Sequence, residues 1–132
     1  MMKIRIISSR EEINSIRPNE KAIHLAFRAS SADFLNLIQK APRLQMVQVP
    51  PSCMRTMSKA IEAFLRIQGV KLLEGDVWGH RKDLDEYFTI EDVVIREIRS
   101  LSDSGAAIDS IANKARISPQ LIKYIAGTNV TA

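Results

Sequence analysis

Cysteine is nearly absent from this sequence, since Cys53 is the one thiol among 132 residues. A lone cysteine excludes an intrachain disulfide and a metal site built from several cysteines, and it agrees with a reducing compartment. Long apolar runs are absent too, because no stretch approaches the roughly 20 residues that a membrane span needs. Met1-Met2-Lys3 leads directly into a strand-like run and lacks the features of a secretory signal. We therefore expect a cytoplasmic protein that does not bind a membrane.

Charge of one sign does not dominate the chain, whose formal net charge is +4 with a pI near 9.5. This balance permits an anionic partner without requiring one. Over residues 89–132, five basic residues are balanced by five acidic ones. The acidic residues all precede Lys114, Arg116 and Lys123, however, so the last part of the chain keeps these three cations without an acid. The charge is therefore polarised, as a surface that docks on nucleic acid requires.

Four apolar runs of strand length recur in the first part of the sequence. They begin near positions 3, 22, 44 and 70, and amphipathic helical patterns separate them. Ser9 with Glu12 has the spacing of a capping box, and Ser31 and Ser52 stand where further helices should begin. The alternation predicts an α/β fold with a small parallel sheet of about four strands joined by crossover helices. A leucine-rich-repeat-like arc is the alternative, which the uneven repeat length disfavours.

A helical region follows the last predicted strand. Thr89 is predicted to cap a first helix, whose apolar residues Val94, Ile95, Ile98 and Leu101 lie at helical spacing. Two further helical patterns end at Gly127. We therefore divide the chain into an α/β domain, residues 1–88, and a three-helix module, residues 89–132.

The last two predicted helices have the layout of a helix-turn-helix. Ile111-Ala112 lies in the first helix, Arg116-Ile117 forms the short turn, and Ser118-Pro119 is a typical start for the second. The pattern resembles the helix-turn-helix of transcriptional repressors, which usually carry glycine in the turn. Arg116 takes that place here, and a left-handed conformation at a residue other than glycine costs about 1 kcal/mol or more.

DNA contacts in such a motif come from the exposed side of the second helix and from the turn. Gln120, Lys123 and Tyr124 are predicted to read the major groove. Lys114, Arg116 and Ser118 are predicted to meet phosphates. One short recognition helix reads few base pairs, so we expect a homodimer on double-stranded DNA.

Three segments of the first 88 residues stand out as a set: MKIRIISSREEI, HLAFRAS and LLEGDVWGHRKDLDEY. With these segments the chain resembles an archaeal family of small methanogen proteins, catalogued as domain of unknown function 1699. The family has no assigned activity. The resemblance therefore implies an archaeal origin and a cytosolic setting, and it supplies no catalytic residues.

Side chains that can bind anions follow each predicted strand. In an open parallel sheet, ligands bind beyond the carboxyl ends of the strands, where helix N-termini point inward. Hydroxyl groups and cations at these positions predict a pocket for an anionic small molecule, formed by Ser9, Arg10, Arg28, Ser30, Ser31, Ser52, Arg55, Thr56, His80 and Arg81. The alternative is that the serines only cap helices and the arginines lie in solvent.

Two residues could support catalysis. His80 lies between Asp76 and Asp83, and Cys53 stands at a predicted helix N-terminus, where the dipole favours the thiolate. The sequence lacks the arginine and glycines of a cysteine-phosphatase loop, however, and His24, the second possible imidazole ligand, stands in an apolar strand. We therefore expect no metal and no cofactor, and we favour a protein without catalytic activity.

The sequence leaves three functions open. The leading hypothesis is a DNA-binding transcriptional regulator whose α/β domain binds an anion or a partner. The second is a protein-interaction module in which the helical tail is structural and never touches DNA. The third is a small enzyme that uses Cys53 or His80.

Overall fold

A five-stranded sheet forms the centre of the protein. The structure is a computed structural model that describes residues 1–77 and 86–127. The strands are β1 (Met2–Ile7), β2 (Ala22–Leu25), β3 (Met46–Val49), β4 (Lys71–Glu74) and β5 (Tyr87–Ile90). Their order across the sheet is β4-β3-β2-β1-β5, with β1 to β4 parallel and β5 antiparallel to β1. The predicted α/β fold is confirmed, and β5 is a strand that the sequence pattern did not predict.

Helices cover both faces of this sheet. One face carries a 3₁₀ helix (Arg10–Ser15), α1 (Ser31–Lys40), α2 (Pro51–Thr56) and α3 (Lys59–Ile67). The other face carries α4 (Asp92–Asp103), α5 (Ile108–Ala115) and α6 (Pro119–Gly127). Because β1 to β4 follow one another across the sheet in sequence order, the helices that connect them all lie on the first face. A leucine-rich-repeat-like arc is therefore not formed.

The core on the first face joins the crossover helices to the sheet. Phe34 and Leu37 of α1 and Leu65 of α3 are fully buried in one cluster with Ile23 of β2 and Val47 of β3. These strands have apolar residues at successive positions because helices cover both of their faces.

The core on the second face joins α4, α5 and α6 to the same strands. Ile98 of α4 and Ile122 of α6 lie in one cluster with Ile4, Met46 and Leu73 of the sheet. The helical region and the sheet thus share a hydrophobic core. The proposed boundary at residue 88 falls inside β5, whose Phe88 and Ile90 belong to this cluster.

Several predicted helix starts are wrong by a few residues. Thr89 lies in β5, and Glu91 is the residue that precedes α4. Ser9 does precede the 3₁₀ helix, as predicted, but its side chain makes no capping bond, and the Glu12 carboxylate accepts instead from the Ser8 amide at 3.0 Å. The capping box of α1 is built on Ser30, one residue before the predicted cap.

The predicted helix after Ser52 is divided into two. Ser52 lies inside α2, which Pro50 precedes, so the hydroxyl of Ser52 does not cap this helix. Met57 has extended backbone, and the Ser58 hydroxyl accepts from the Ile61 amide at 3.2 Å to start α3. The new cap satisfies an amide that would otherwise lack a partner at the helix start.

The connection between α5 and α6 contains a left-handed residue without glycine. Arg116 ends α5 with φ 58° and ψ 44°, the conformation that glycine adopts without strain. Ile117, the next residue, is buried in the second-face core. Burying an isoleucine side chain contributes about 1.5–3 kcal/mol, which is enough to offset a cost of about 1–2 kcal/mol at Arg116. In the described ranges, no helix is long and apolar enough to cross a membrane.

Candidate functional site

Strand β4 is an edge of the sheet among the strands that the structure describes. Its pairing with β3 is one-sided, since the Lys71 amide donates to the Gln45 carbonyl and the Gly75 amide donates to the Val49 carbonyl, both at 2.9 Å. Alternate residues of a strand point their main-chain groups to opposite sides. Leu72 therefore directs its N–H and C=O away from β3, toward the outside of the sheet.

An open depression of about 530 Å³ runs along this edge. Three apolar side chains that are buried or half-buried, four charged side chains and Gln120 of α6 line it. The apolar residues are Met54, Val70 and Leu72, and the charged residues are Glu62, Arg66, Lys71 and Glu74. We call this depression the β4 groove. Its apolar floor and exposed main chain are the two features that an added polypeptide strand requires.

The charges of the β4 groove are separated along its length. Helix α3 runs back along β4, because the chain reverses direction at Gln68-Gly69. Arg66 at the end of α3 therefore lies near Lys71 at the start of β4. Glu62, one helical turn earlier, lies toward Glu74 at the end of the strand. One end of the groove is basic and the other is acidic.

Gln120 closes part of the edge. Its Oε1 accepts from the outward-pointing Glu74 amide at 2.7 Å. A side-chain acceptor at this position replaces the carbonyl of a neighbouring strand, so it protects one edge donor from pairing with another chain. The protection stops at Glu74 and leaves Leu72 exposed to the groove.

The start of α6 is fastened to the chain that follows β4. The Ser118 hydroxyl donates to the Asp76 carbonyl at 2.7 Å and accepts from the Asp76 amide at 2.9 Å. We call these two bonds, together with the bond from the Glu74 amide to Gln120, the α6 anchor. Gly75 lies at its centre, because a Cβ at this position would stand 2.5 Å from both Cβ and Oγ of Ser118. A residue with a side chain cannot occupy position 75 without moving α6.

Two polar side chains are buried in the sheet beneath the α6 anchor. His24 of β2 and Gln48 of β3 are neighbours in register, and both are fully buried. The His24 Nδ1 lies 2.9 Å from the Gln48 Oε1, and Nε2 lies 3.5 Å from the half-exposed Asp76 carboxylate. With this amide orientation, Nδ1 carries a proton and donates to the Gln48 oxygen. These two side chains therefore connect the ends of β2 and β3 to Asp76, which is part of the α6 anchor.

The residues predicted to bind DNA have unequal access to solvent. Lys114, Arg116, Gln120 and Lys123 are exposed, although Lys114 lies 3.4 Å from Glu97 in an ion pair. Tyr124 is partly buried against the second-face core, and burial raises the pKa of its phenol. Ser118 differs from the prediction, because it is buried and its hydroxyl already binds Asp76. It is not available to a phosphate in this arrangement.

The residues predicted to bind an anion follow successive parallel strands of the sheet. A ligand crevice in an α/β sheet opens where the strand order reverses, and β1 to β4 follow one another without a reversal. Arg28, Ser31, Ser52, Arg55 and Thr56 are exposed. The Thr56 hydroxyl donates to the Cys53 carbonyl at 3.2 Å. His80 and Arg81 lie outside the described residues.

Arg10 and Ser30, two members of the predicted anion site, meet at a protein carboxylate. The Arg10 Nε lies 2.8 Å from the buried Asp33 Oδ1, and the Ser30 amide donates to Oδ2 at 2.8 Å. Burial raises the pKa of the Asp33 carboxyl, but hydrogen bonds from Arg10 and Ser30 outweigh it and hold that pKa below its ordinary value. Asp33 thus occupies the position that an external anion would take.

Of the two catalytic candidates, Cys53 lies within the described residues. Cys53 is buried in the first-face core, where a thiol packs as a small apolar group. In the ranges described, no group of three or more histidine, cysteine, aspartate or glutamate side chains could hold a metal ion. The catalytic hypothesis for His80 concerns a residue outside these ranges.

Sequence reasoning missed the groove and the anchor for identifiable reasons. An edge strand cannot be recognised from one chain, because strand order depends on contacts between distant segments. The buried pair did leave a signal, since His24 and Gln48 each stand one residue before the end of an apolar strand. Polar residues at equivalent positions of two buried strands indicate a shared hydrogen bond.

Residues 3–86 match the model of the N-terminal domain of a family of unknown function, DUF1699. The match begins in β1 and ends immediately before β5. No curated protein matches the chain, and no solved structure does.

Proposed function

Because this chain belongs to the DUF1699 family, which has no known function, its own geometry must supply the argument, and we propose that it is a non-catalytic protein-interaction module. Its interaction surface is the β4 groove, where a polypeptide segment of a partner adds a strand to the sheet. The observation that carries this proposal is the outward main chain of Leu72 in a groove with an apolar floor. Strand addition combines such main-chain bonds with pockets for alternate side chains.

The alternative, a DNA-binding regulator of the helix-turn-helix type, has weaker support from the same contacts. A recognition helix meets base edges with its N-terminal residues. In α6 those residues are held by the α6 anchor, since Ser118 binds Asp76 and Gln120 binds Glu74. The shared second-face core gives α4, α5 and α6 a structural role, which the interaction hypothesis requires.

A peptide selection tests the proposed interaction surface. Random peptides displayed on phage are selected against the immobilised full chain, and the selected sequences are made with a fluorophore. Binding is then measured by fluorescence anisotropy to the wild type, Leu72→Ala and Leu72→Pro. Both variants lose the leucine side chain, but proline alone removes the outward amide, and proline is tolerated at an edge where this amide faces away from the sheet.

We expect the selected peptides to be extended, with alternating apolar and polar residues. They should bind Leu72→Ala measurably. They should bind Leu72→Pro at least about tenfold more weakly than Leu72→Ala, because proline removes one main-chain hydrogen bond. Equal binding to the two variants would show that no strand is added at Leu72 and would end the proposal. The same assay with duplex genomic DNA at low salt examines the alternative. Binding that falls steeply with salt and is weakened by Lys123→Ala would favour the DNA-binding function instead.

A further inference from the structure

We infer that the β4 groove takes a second copy of this chain, so that two β4 strands pair antiparallel across a two-fold axis at Leu72. This inference rests on the proposed function, because it names the partner of the same groove. A two-fold contact requires a self-complementary surface. The main chain and the charges of the groove each meet that requirement.

The main-chain argument concerns the donors that β4 directs outward. The Val70 amide is used within the chain, since it donates to the Leu65 carbonyl at 2.9 Å. The Glu74 amide donates to Gln120. Among the outward amides of β4 in the described part of the chain, the Leu72 amide is therefore the one without an acceptor. One residue that presents both N–H and C=O can pair with the same residue of a second copy through two reciprocal hydrogen bonds.

This restricted edge suits a second copy better than a long peptide. A long peptide would continue the ladder to the Glu74 amide and would have to displace Gln120. A second copy pairs at Leu72 alone, because the Val70 and Glu74 amides on either side already have acceptors within their own chain. The two strands diverge beyond Leu72 and leave Gln120 beside Glu74 in each copy, so the anchor remains intact.

The charge argument follows from the same register. Val70, Leu72 and Glu74 alternate with Leu73 and face the α3 side of the sheet, where Val70 and Leu72 contact the first-face core. Arg66 lies at the Val70 end, which in the paired arrangement meets Glu74 of the second copy. The two-fold axis repeats this contact. The basic end of each groove thus lies against the acidic end of the other, and both pairs favour association.

Sedimentation velocity of the full chain over a range of concentrations tests the inference. The wild type should show a reversible monomer–dimer equilibrium. Arg66→Glu and Glu74→Arg should each weaken dimerisation at least about tenfold, because each places like charges together twice. The double variant Arg66→Glu/Glu74→Arg should recover most of the lost affinity, since opposite charges meet again across the axis.

Lys59→Glu is the matched control, because it makes the same charge change on α3 at an exposed position that does not line the groove. It should dimerise like the wild type. A wild-type chain that stays monomeric overturns the inference. If selected peptides still distinguish Leu72→Ala from Leu72→Pro, the groove accepts another protein and the proposed function survives. A dimer that the double variant does not restore also overturns the inference, because its interface lies elsewhere.

Discussion

Gly75 provides the sharpest test of the α6 anchor. In Gly75→Ala, the new Cβ would stand 2.5 Å from Ser118 Cβ and Oγ and 2.8 Å from the Gln48 Nε2. The Ser118 Cβ is fixed to the backbone of α6, so the helix must shift. Overpacking of this kind costs about 1–3 kcal/mol. The two Ser118–Asp76 hydrogen bonds that the shift breaks add about 1 kcal/mol each. We expect the free energy of unfolding to fall by about 3–5 kcal/mol.

The measurement is equilibrium unfolding in urea, followed by far-ultraviolet circular dichroism. Gly105→Ala is the control, since Gly105 has φ +89° but no neighbour within 4 Å of a new Cβ. Gly105→Ala should lower the free energy of unfolding by only about 1 kcal/mol, the cost of a left-handed backbone at a residue other than glycine. Ser118→Gly removes the two Ser118 atoms that clash and leaves the contact with Gln48, so it should recover part of the loss in a Gly75→Ala/Ser118→Gly double variant. If Gly75→Ala costs no more than Gly105→Ala, the reasoning about the anchor is refuted.

Two further predictions concern Asp33 and the shared core. The lowered pKa of Asp33 adds stability above the pKa of the unfolded chain, and this stability is lost as pH falls through the folded-state pKa. In urea unfolding, the deficit of Asp33→Asn relative to wild type should therefore be constant above about pH 5 and shrink as the pH falls below about 4, and a deficit that stays constant down to about pH 3 would exclude the charge as its cause. Ile122→Ala, at a fully buried site, should cost about 2–5 kcal/mol in a single unfolding transition, whereas Ile67→Ala at an 80 % exposed site should cost little. Two separate transitions would show that the helical region unfolds independently of the sheet.

The periodicity of the sequence predicted most of the fold. Apolar runs followed by amphipathic segments are typical of strands and crossover helices, and the four parallel strands lie where these runs are. β5 was missed because Tyr87–Ile90 is short and adjoins α4, so Thr89 was read as a helix cap. Its antiparallel pairing with β1 depends on residues more than 80 positions away in sequence, a contact that local pattern does not encode.

The candidate site was less predictable than the fold. The polar residues after β1, β2 and β3 lie near strand ends, as predicted, whereas β1 to β4 show no reversal of strand order of the kind at which a ligand crevice opens. Arg10 was predicted to bind an external anion, and Asp33 instead supplies a carboxylate from within α1. Ser118 was assigned to a phosphate from its place before Pro119, and the loop after β4 takes its hydroxyl. Spacing in a sequence shows which groups are present, and only packing shows which of them are already paired.

The sequence by itself determined the α/β class and the helical end of the chain, because alternation, capping residues and helical spacing are local properties. The tertiary structure decided that β4 is an edge, that Gly75 must lack a side chain and that Gln120 covers the Glu74 amide. Each of these depends on the approach of segments that are distant in sequence. The close packing of α6 against the end of β4 therefore decides which residues can meet a partner.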